Sequence, residues 1–337
     1  MKQNDDFAYY LSRFFQSYLS GIRNVSKNTI HSYRDTFTKL LVFYRDDCGI
    51  APEKISFSVF TRENIEKFLF SLENEQKCSI STRNQRLAAI KSFCRYVQIE
   101  CPDLLMQCQL IMSLKNKKQP KPAISYLTIN EVELLFSQPD TTTRKGRRDL
   151  ALLSLMYDSA ARVQEICDLK VSDVRLKSPA VIRLFGKGRK VREIPLEKPC
   201  ADILRRYMEE NGLFRKNVLE MPLFYNNQMK KLSRSGVSYV LEKYIDKMNA
   251  GSVIIHKKIT PHCLRHSKAM HMLEAGINLI YIRDYLGHES IETTQVYARA
   301  NPEAKRKAIK KMEPFSPSPA LPDWNDDPDL MKFLHSL

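Results

Sequence analysis

The sequence predicts a mainly α protein with one small β-sheet, divided between an all-helical first domain and an α+β second domain. Three observations carry this. The 337 residues suit two cores of roughly 100–200 residues each. Apolar residues recur with a helical period along most of the chain. A single pair of runs, Val181–Phe185 and Val191–Leu196, has strand composition around a glycine-containing turn, which is a hairpin signal.

The elements follow in chain order. Tyr33, Phe37, Leu40, Leu41 and Tyr44 form one apolar stripe of a helix. Ile65, Phe68, Leu69 and Leu72 form a second, after a cap at Thr61. Ser81-Thr82 opens a third, with Leu87, Ile90, Cys94 and Val97 turned inward and Arg83, Arg86, Lys91 and Arg95 on its outer face. Such a face is ordinarily a solvated surface. Residues 1–112 therefore read as an all-helical domain. Residues 113–127 begin with lysines, prolines and no acid, the composition of a semi-extended cationic linker. The second domain spans 128–312. It opens on a capping box, Thr128-Ile-Asn-Glu131, continues through a buried helix over Leu150–Met156 and the hairpin, then returns to helical spacing.

Composition narrows the function. Lys and Arg total 54 against 38 Asp and Glu, a net charge of +16, which points to a polyanion partner, most simply nucleic acid. Residues 313–337 hold five acids and one lysine, so this acidic tail lies on a more basic body. Within it Asp327 caps and Pro328 begins a short amphipathic helix with Leu330, Phe333, Leu334 and Leu337 on one side. A helix that short must bury its apolar side on something: the same chain or a neighbouring copy. No run of apolar residues reaches membrane-span length, and the amino terminus lacks a secretory h-region. Eight cysteines occur without a C-x-x-C pair, which argues for reduced, cytoplasmic thiols and against a disulfide or zinc scaffold.

Four local patterns in the second domain carry chemistry: Ala160-Ala-Arg-Val-Gln-Glu-Ile166, Gly186-Lys-Gly-Arg-Lys190, Thr260-Pro-His-Cys-Leu-Arg-His266, and Leu286-Gly-His-Glu-Ser290 followed by Thr293-Thr-Gln-Val-Tyr297. Each has a plain structural reading. Arg162 and Glu165 make an i,i+3 helix pair. The Gly-Lys-Gly turn lacks phosphate-loop spacing, and His262 with His266 lacks the glutamate of a zinc helix. Leu-Gly-His is a common helix end.

Together and in this order, they resemble the tyrosine recombinase family of phage integrases and chromosome-dimer-resolving recombinases. The family pattern of an Arg, a hairpin Lys, H-x-x-R, a His or Trp and a Tyr reads here as Arg162, Lys187, His262-x-x-Arg265, His288 and Tyr297. Thr29–Tyr44 and Ser81–Tyr96 look like the family's SAM-like core-binding domain, and residues 127–132 like the start of its catalytic domain. The resemblance implies a site-specific DNA recombinase working through a 3′-phosphotyrosyl intermediate and a Holliday junction. In that chemistry Arg162 and Arg265 hold the scissile phosphate, Tyr297 attacks it, and Lys187 protonates the departing 5′-oxygen. His262 serves proton traffic, His288 hydrogen-bonds the phosphate and Glu165 orients an arginine or histidine. Lys190 could substitute for Lys187, and Lys268 stands where relatives often carry an apolar residue.

Cofactor and metal are implied to be absent. The expected partner is a double-stranded recombination site, gripped also by Arg83, Arg86, Lys91, Arg95, Lys115, Lys117, Lys118, Lys121, Arg189 and Lys190. The expected assembly is a homotetramer on synapsed DNA in the bacterial cytoplasm and nucleoid, with accessory recombination proteins optional and no membrane contact. Integration, excision or transposition of a mobile element or phage is the expected task, with dimer resolution and DNA inversion left open by the sequence. A type IB topoisomerase-like enzyme and a DNA-binding regulator are the rival readings, and only covalent chemistry separates the enzymes from the regulator.

Overall fold

A computed structural model describes residues 6–119, 123–186, 190–250, 258–300 and 328–337. The chain divides between Pro122 and Ala123 into two compact units.

The first unit holds α1 (Phe7–Arg13), a π-helical continuation Phe14–Ile22, α2 (Lys27–Asp46), α3 (Arg62–Asn74), α4 (Ile80–Glu100) and α5 (Leu105–Met112). Its core is aromatic. The ring of Phe93 meets those of Phe37, Phe14 and Phe7 edge-on at centroid distances of 5.2, 5.3 and 5.5 Å, the arrangement that ring quadrupoles favour. The stripe expected on α3 is buried at all four positions, and Thr61 caps it by accepting from the Asn64 amide. Helix α4 begins at Ile80, earlier than expected, because Ser79 supplies the cap to the Thr82 amide.

The outer basic face expected on α4 needs correction. Only Arg95 is exposed; Arg83 is buried, and Arg86 and Lys91 are half-buried. Arg83 donates to the Lys115 carbonyl (3.3 Å), Lys91 donates to the Leu114 carbonyl, and Arg86 reaches Thr36 Oγ1 (3.4 Å). Asn84 exchanges two hydrogen bonds with the backbone of Lys117. Arg83, Asn84 and Lys91 satisfy the backbone of the segment after α5 and fasten residues 114–117 to α4, while Arg86 is held by α2, which is why these groups turn inward. Lys115, Lys117 and Lys118 stay exposed, Lys117 pairing with Glu73, whereas Lys121 lies outside the described residues.

The second unit is built around α7 (Arg144–Asp158), whose residues Ala151–Met156 are all buried. The Thr128–Glu131 capping box opens α6 (Ile129–Ser137). After α8 (Val163–Asp168) comes an antiparallel sheet in the order β1 (Val174–Arg175), β2 (Val181–Phe185), β3 (Val191–Pro195). Leu184 pairs with Arg192 and Ile182 with Ile194. Helices α9 (Lys198–Glu210), α10 (Arg234–Asn249), α11 (Pro261–Glu274), α12 (Leu279–Leu286) and α13 (Ile291–Ala300) follow. A last helix spans Pro328–His335, on and beyond which Phe333, Leu334 and Leu337 are exposed. Its expected cap Asp327 and the other acids at 313–326 lie outside the described residues. No described helix is long and apolar enough to cross a membrane.

Candidate active site

The loop after α7 sets the site. Ala160 adopts a left-handed conformation (φ 47°), which costs a β-carbon-bearing residue of order 1–3 kcal/mol and persists only where surroundings enforce it. Here the Ala160 carbonyl accepts from Arg265 Nη1 at 2.8 Å. Two residues on, Arg162 stands at the start of α8, its amide donating to Glu165 Oε2 (2.7 Å) and its Nη1 to Glu165 Oε1 (3.0 Å). Its Nη2 donates to the Gly287 carbonyl (3.1 Å), while Arg265 Nη2 donates to the neighbouring Leu286 carbonyl (2.6 Å). The two guanidinium groups thus lean on consecutive carbonyls at the end of α12.

Arg265 is 1% exposed, and its Nε is buried without a hydrogen-bond partner among the described residues. Burial, then the charge of Arg162, lowers its pKa to about 10. A buried guanidinium with an unused donor is suited to an anion. Glu165 is also buried. Burial alone would raise its pKa, but hydrogen bonds and charge from Arg192, then Arg162, outweigh that and lower it.

Arg192 was not legible from motif spacing, yet it holds Glu165 in a bidentate pair, Nη1 to Oε1 at 2.9 Å and Nη2 to Oε2 at 2.7 Å. The available signal was register: an arginine on the inward side of a strand whose neighbours there are Leu184 and Ile194 needs an anion to meet. Gly287 makes the fit. It ends α12 in the left-handed region (φ 64°), and a β-carbon there would lie 3.0 Å from Arg192 Nη1.

Tyr297, on α13, is 2% exposed. Its hydroxyl oxygen lies 2.8 Å from His266 Nδ1. Burial raises the tyrosine pKa, against which Arg265 and Arg162 pull it down. His288 Nδ1 lies 2.9 Å from Thr294 Oγ1 on α13, and the His288 and Tyr297 rings are nearly parallel at 6.5 Å. Burial, then Arg265 and Arg162, lowers His288 to about 4. His262 is lowered by burial, then by Arg265 and Arg162. These interactions bring Arg162, Glu165, His262, Arg265, His288 and Tyr297 into one cluster, beside a cleft of about 390 Å³ lined by Arg162, Gly186, Lys190, Arg192 and His288.

Lys190 is exposed and lies 3.6 Å from Glu289, whereas Lys187 and Arg189 lie outside the described residues. Tyr281 is exposed, and Tyr285 donates to the Asp158 carbonyl. Lys268 pairs with Asp158 at 3.0 Å, an anion that explains the charge at that position.

The basic, two-unit chain with an arginine–histidine–tyrosine cluster defines a class of phosphate-handling protein, and comparison with known proteins gives the family. Residues 125–304 match the phage integrase family model and residues 11–100 match the phage integrase N-terminal SAM-like domain. The Sinorhizobium fredii protein y4rC, whose name places it among integrases/recombinases, is 36% identical over 338 residues and covers 100% of both chains. Tyrosine recombinase XerD of Staphylococcus epidermidis is 34% identical over 310 residues, covering 90% of this chain and 99% of the relative. In fold the chain is similar to XerH site-specific recombinase bound to difH (TM-score 0.65, 22% identity, 86% of this chain and 80% of that one). It is similar too to the Tn1549 transposon integrase bound to transposon right-end DNA (TM-score 0.65, 18% identity, 89% and 98%). The chain belongs to the phage integrase family of tyrosine recombinases, and is a site-specific DNA recombinase.

Proposed function

We propose that this protein cleaves and rejoins DNA at a specific duplex site through a 3′-phosphotyrosyl intermediate on Tyr297. The observation that carries the reading is the convergence of the buried Tyr297 hydroxyl with Arg162, Arg265 and His288. Phosphoryl transfer gathers negative charge on the non-bridging oxygens, where planar guanidinium forks are most effective. Arg162 and Arg265 grip the phosphate, the latter with the Nε it leaves unused here. His288 adds a hydrogen bond. Tyr297 Oη attacks phosphorus as its proton passes to a neighbouring histidine, the P–O5′ bond breaks, and Lys187, which lies between β2 and β3 in the sequence, gives the 5′-oxygen its proton. The phosphotyrosyl linkage conserves the energy of the broken bond, so a 5′-hydroxyl from a second duplex closes the exchanged strand through a Holliday junction. Glu165 orients Arg162.

On this reading the exposed basic residues of the first unit, Arg95, Lys115, Lys117 and Lys118, with Lys121, hold the phosphates flanking the site, and Arg189 and Lys190 hold those nearer the scissile bond. Arg83, Arg86 and Lys91, turned inward, serve the fold. Four subunits act on two sites in the bacterial nucleoid, moving a mobile element. The exposed Phe333, Leu334 and Leu337 are the side that residues 327–337 would bury on docking, on a neighbouring subunit or in cis in the DNA-free chain.

The test uses a nicked duplex, selected for binding, from which the short cleaved strand escapes so that religation fails. Labelled DNA should comigrate covalently with wild-type protein in denaturing gels with chelator present, and not with Tyr297→Phe. An adduct persisting in that variant, or none from wild type on a bound duplex, overturns the reading.

A further inference from the structure

The Tyr297 hydroxyl has a partner outside the six residues of the family pattern. Besides the 2.8 Å approach of Oη to His266 Nδ1, the two rings meet edge-on with centroids 5.5 Å apart. His266 follows Arg265 directly on α11, and its ring packs at 4.3 Å against that of His262. With Tyr297 almost wholly buried and His266 half-buried, this hydrogen bond is shielded from competing water. Resting on the reading of Tyr297 as nucleophile, we infer that His266 is a catalytic residue: it accepts the Tyr297 proton during cleavage and returns it during religation.

The step balances. With its ring proton on Nε2, His266 presents the Nδ1 lone pair to the phenol. The proton passes from Oη to Nδ1 as the Oη–P bond forms and the P–O5′ bond breaks, and the 5′-oxygen takes its proton from the acid on the opposite side. In religation the 5′-hydroxyl attacks phosphorus, Oη leaves, and the imidazolium hands its proton back. A base must lie within hydrogen-bond reach of the proton it takes, and His266 satisfies that before DNA arrives.

Electrostatics agree with the geometry. Burial, then His262 and Arg265, lowers the His266 pKa to about 4, so the ring is neutral at ordinary pH with its lone pair available. His262 and Arg265 face it from its own helix, Tyr297 from α13, and His288 from the end of α12. A phosphate anion held by Arg162 and Arg265 offsets the repulsion of an imidazolium by Arg265, so the proton affinity of His266 rises as substrate binds.

Single-turnover cleavage of the nicked duplex tests this in full-length protein. His266→Ala removes the group; His266→Asn keeps a polar atom near the Nδ1 position that cannot take the proton. Both should cleave more than tenfold slower, toward the roughly 10²–10⁴-fold range of a lost general base. A duplex with sulfur in place of the scissile 5′-bridging oxygen needs no leaving-group acid, so it should not rescue either variant. Gel-shift binding of the same duplex is the folding control, and if His266→Ala fails it, the rate of His266→Asn decides. A loss below tenfold, near-wild-type cleavage by His266→Asn, or rescue by sulfur overturns the inference. Those outcomes leave the wild-type adduct and its loss in Tyr297→Phe intact, whereas failure of the nucleophile reading shows in these two proteins alone.

Discussion

Replacing Arg192 by methionine withdraws the guanidinium from Glu165 while keeping much of the side-chain volume between β3 and α12. Two hydrogen bonds of 2.9 and 2.7 Å are lost, and Glu165, whose side chain is 4% exposed, is left with Arg162 as its charged partner. Breaking a buried ion pair costs about 3–5 kcal/mol. The remaining bond to Arg162 argues for the low end, about 3 kcal/mol, or a fall in Tm of about 6–12 °C for a domain of this size. Glu165, no longer held from β3, also ceases to fix the Arg162 fork. Loss of transition-state stabilisation worth about 2.7 kcal/mol is a hundredfold in rate. The assays are thermal unfolding and single-turnover adduct formation on the nicked duplex. Retained Tm within 2 °C and a rate within threefold of wild type would refute the claim that Arg192 positions Arg162 through Glu165.

Gly287→Ala should lower both Tm and the cleavage rate, because the new β-carbon meets Arg192 at 3.0 Å in a left-handed backbone; a cost of about 1–3 kcal/mol reads as a fall of several degrees. Lys268→Met removes the cation from the buried Asp158, whose carboxylate still accepts from the Glu197 amide, and should destabilise by about 3 kcal/mol, part of which adding Asp158→Asn restores; equal melting of single and double variants would sink the pair's role. His266 and His288, both held near 4, stay neutral in the folded state where unfolded histidines charge. Their contribution is therefore unfavourable as pH falls from about 6.5 toward 4, by up to about 1.4 kcal/mol per pH unit each. Glu165 adds to this at lower pH, its depressed pKa giving stability that is lost as pH falls through the folded value. Unfolding measured from pH 4.5 to 7 should show the histidine slope flattened in His266→Asn and His288→Asn. Glu165→Gln should leave DNA affinity in gel shifts equal or tighter while slowing cleavage about a hundredfold; weaker binding with unchanged cleavage contradicts its assigned part.

Periodic elements were legible because their burial is local. Ile65, Phe68, Leu69 and Leu72 repeat with the helical turn and all face one core. The hairpin showed through its turn and β-branched runs. By contrast, Phe14–Ile22 takes π-helical hydrogen bonding, whose wider turn carries apolar residues off the 3.6 period. Arg83 and Lys91 look like surface charges in any window of sequence; what turns them inward is the backbone of Leu114 and Lys115, 23 to 32 residues away. The recombinase motifs gave the residue types at the site. Their mutual geometry depends on Arg192 and Glu165, 27 residues apart, and on carbonyls at the end of α12, 125 residues from Arg162. No short-range pattern carries those distances.

The charge distribution of the cluster gives these details a common cause. Among the described residues, Arg162, Arg192 and Arg265 are gathered around one buried carboxylate, Glu165, so positive charge outweighs negative within this cluster. Burial first, and repulsion from Arg162 second, lowers Arg265 to about 10, and burial followed by the same positive charges lowers His262 and His288. Carbonyls of Ala160, Leu286 and Gly287 supply partial negative charge fixed in the backbone, enough to keep the fork geometry without neutralising it. A phosphodiester brings one negative charge and its pentacoordinate transition state a second. On the proposed reading the attraction to these arginines is therefore greater at the transition state than in the ground state, which is the condition for binding energy to appear as rate. Glu165, held by Arg162 on one side and Arg192 on the other, keeps the arginines in register in the empty protein, and on the proposed reading the phosphate offsets the positive charge that Glu165 leaves uncompensated.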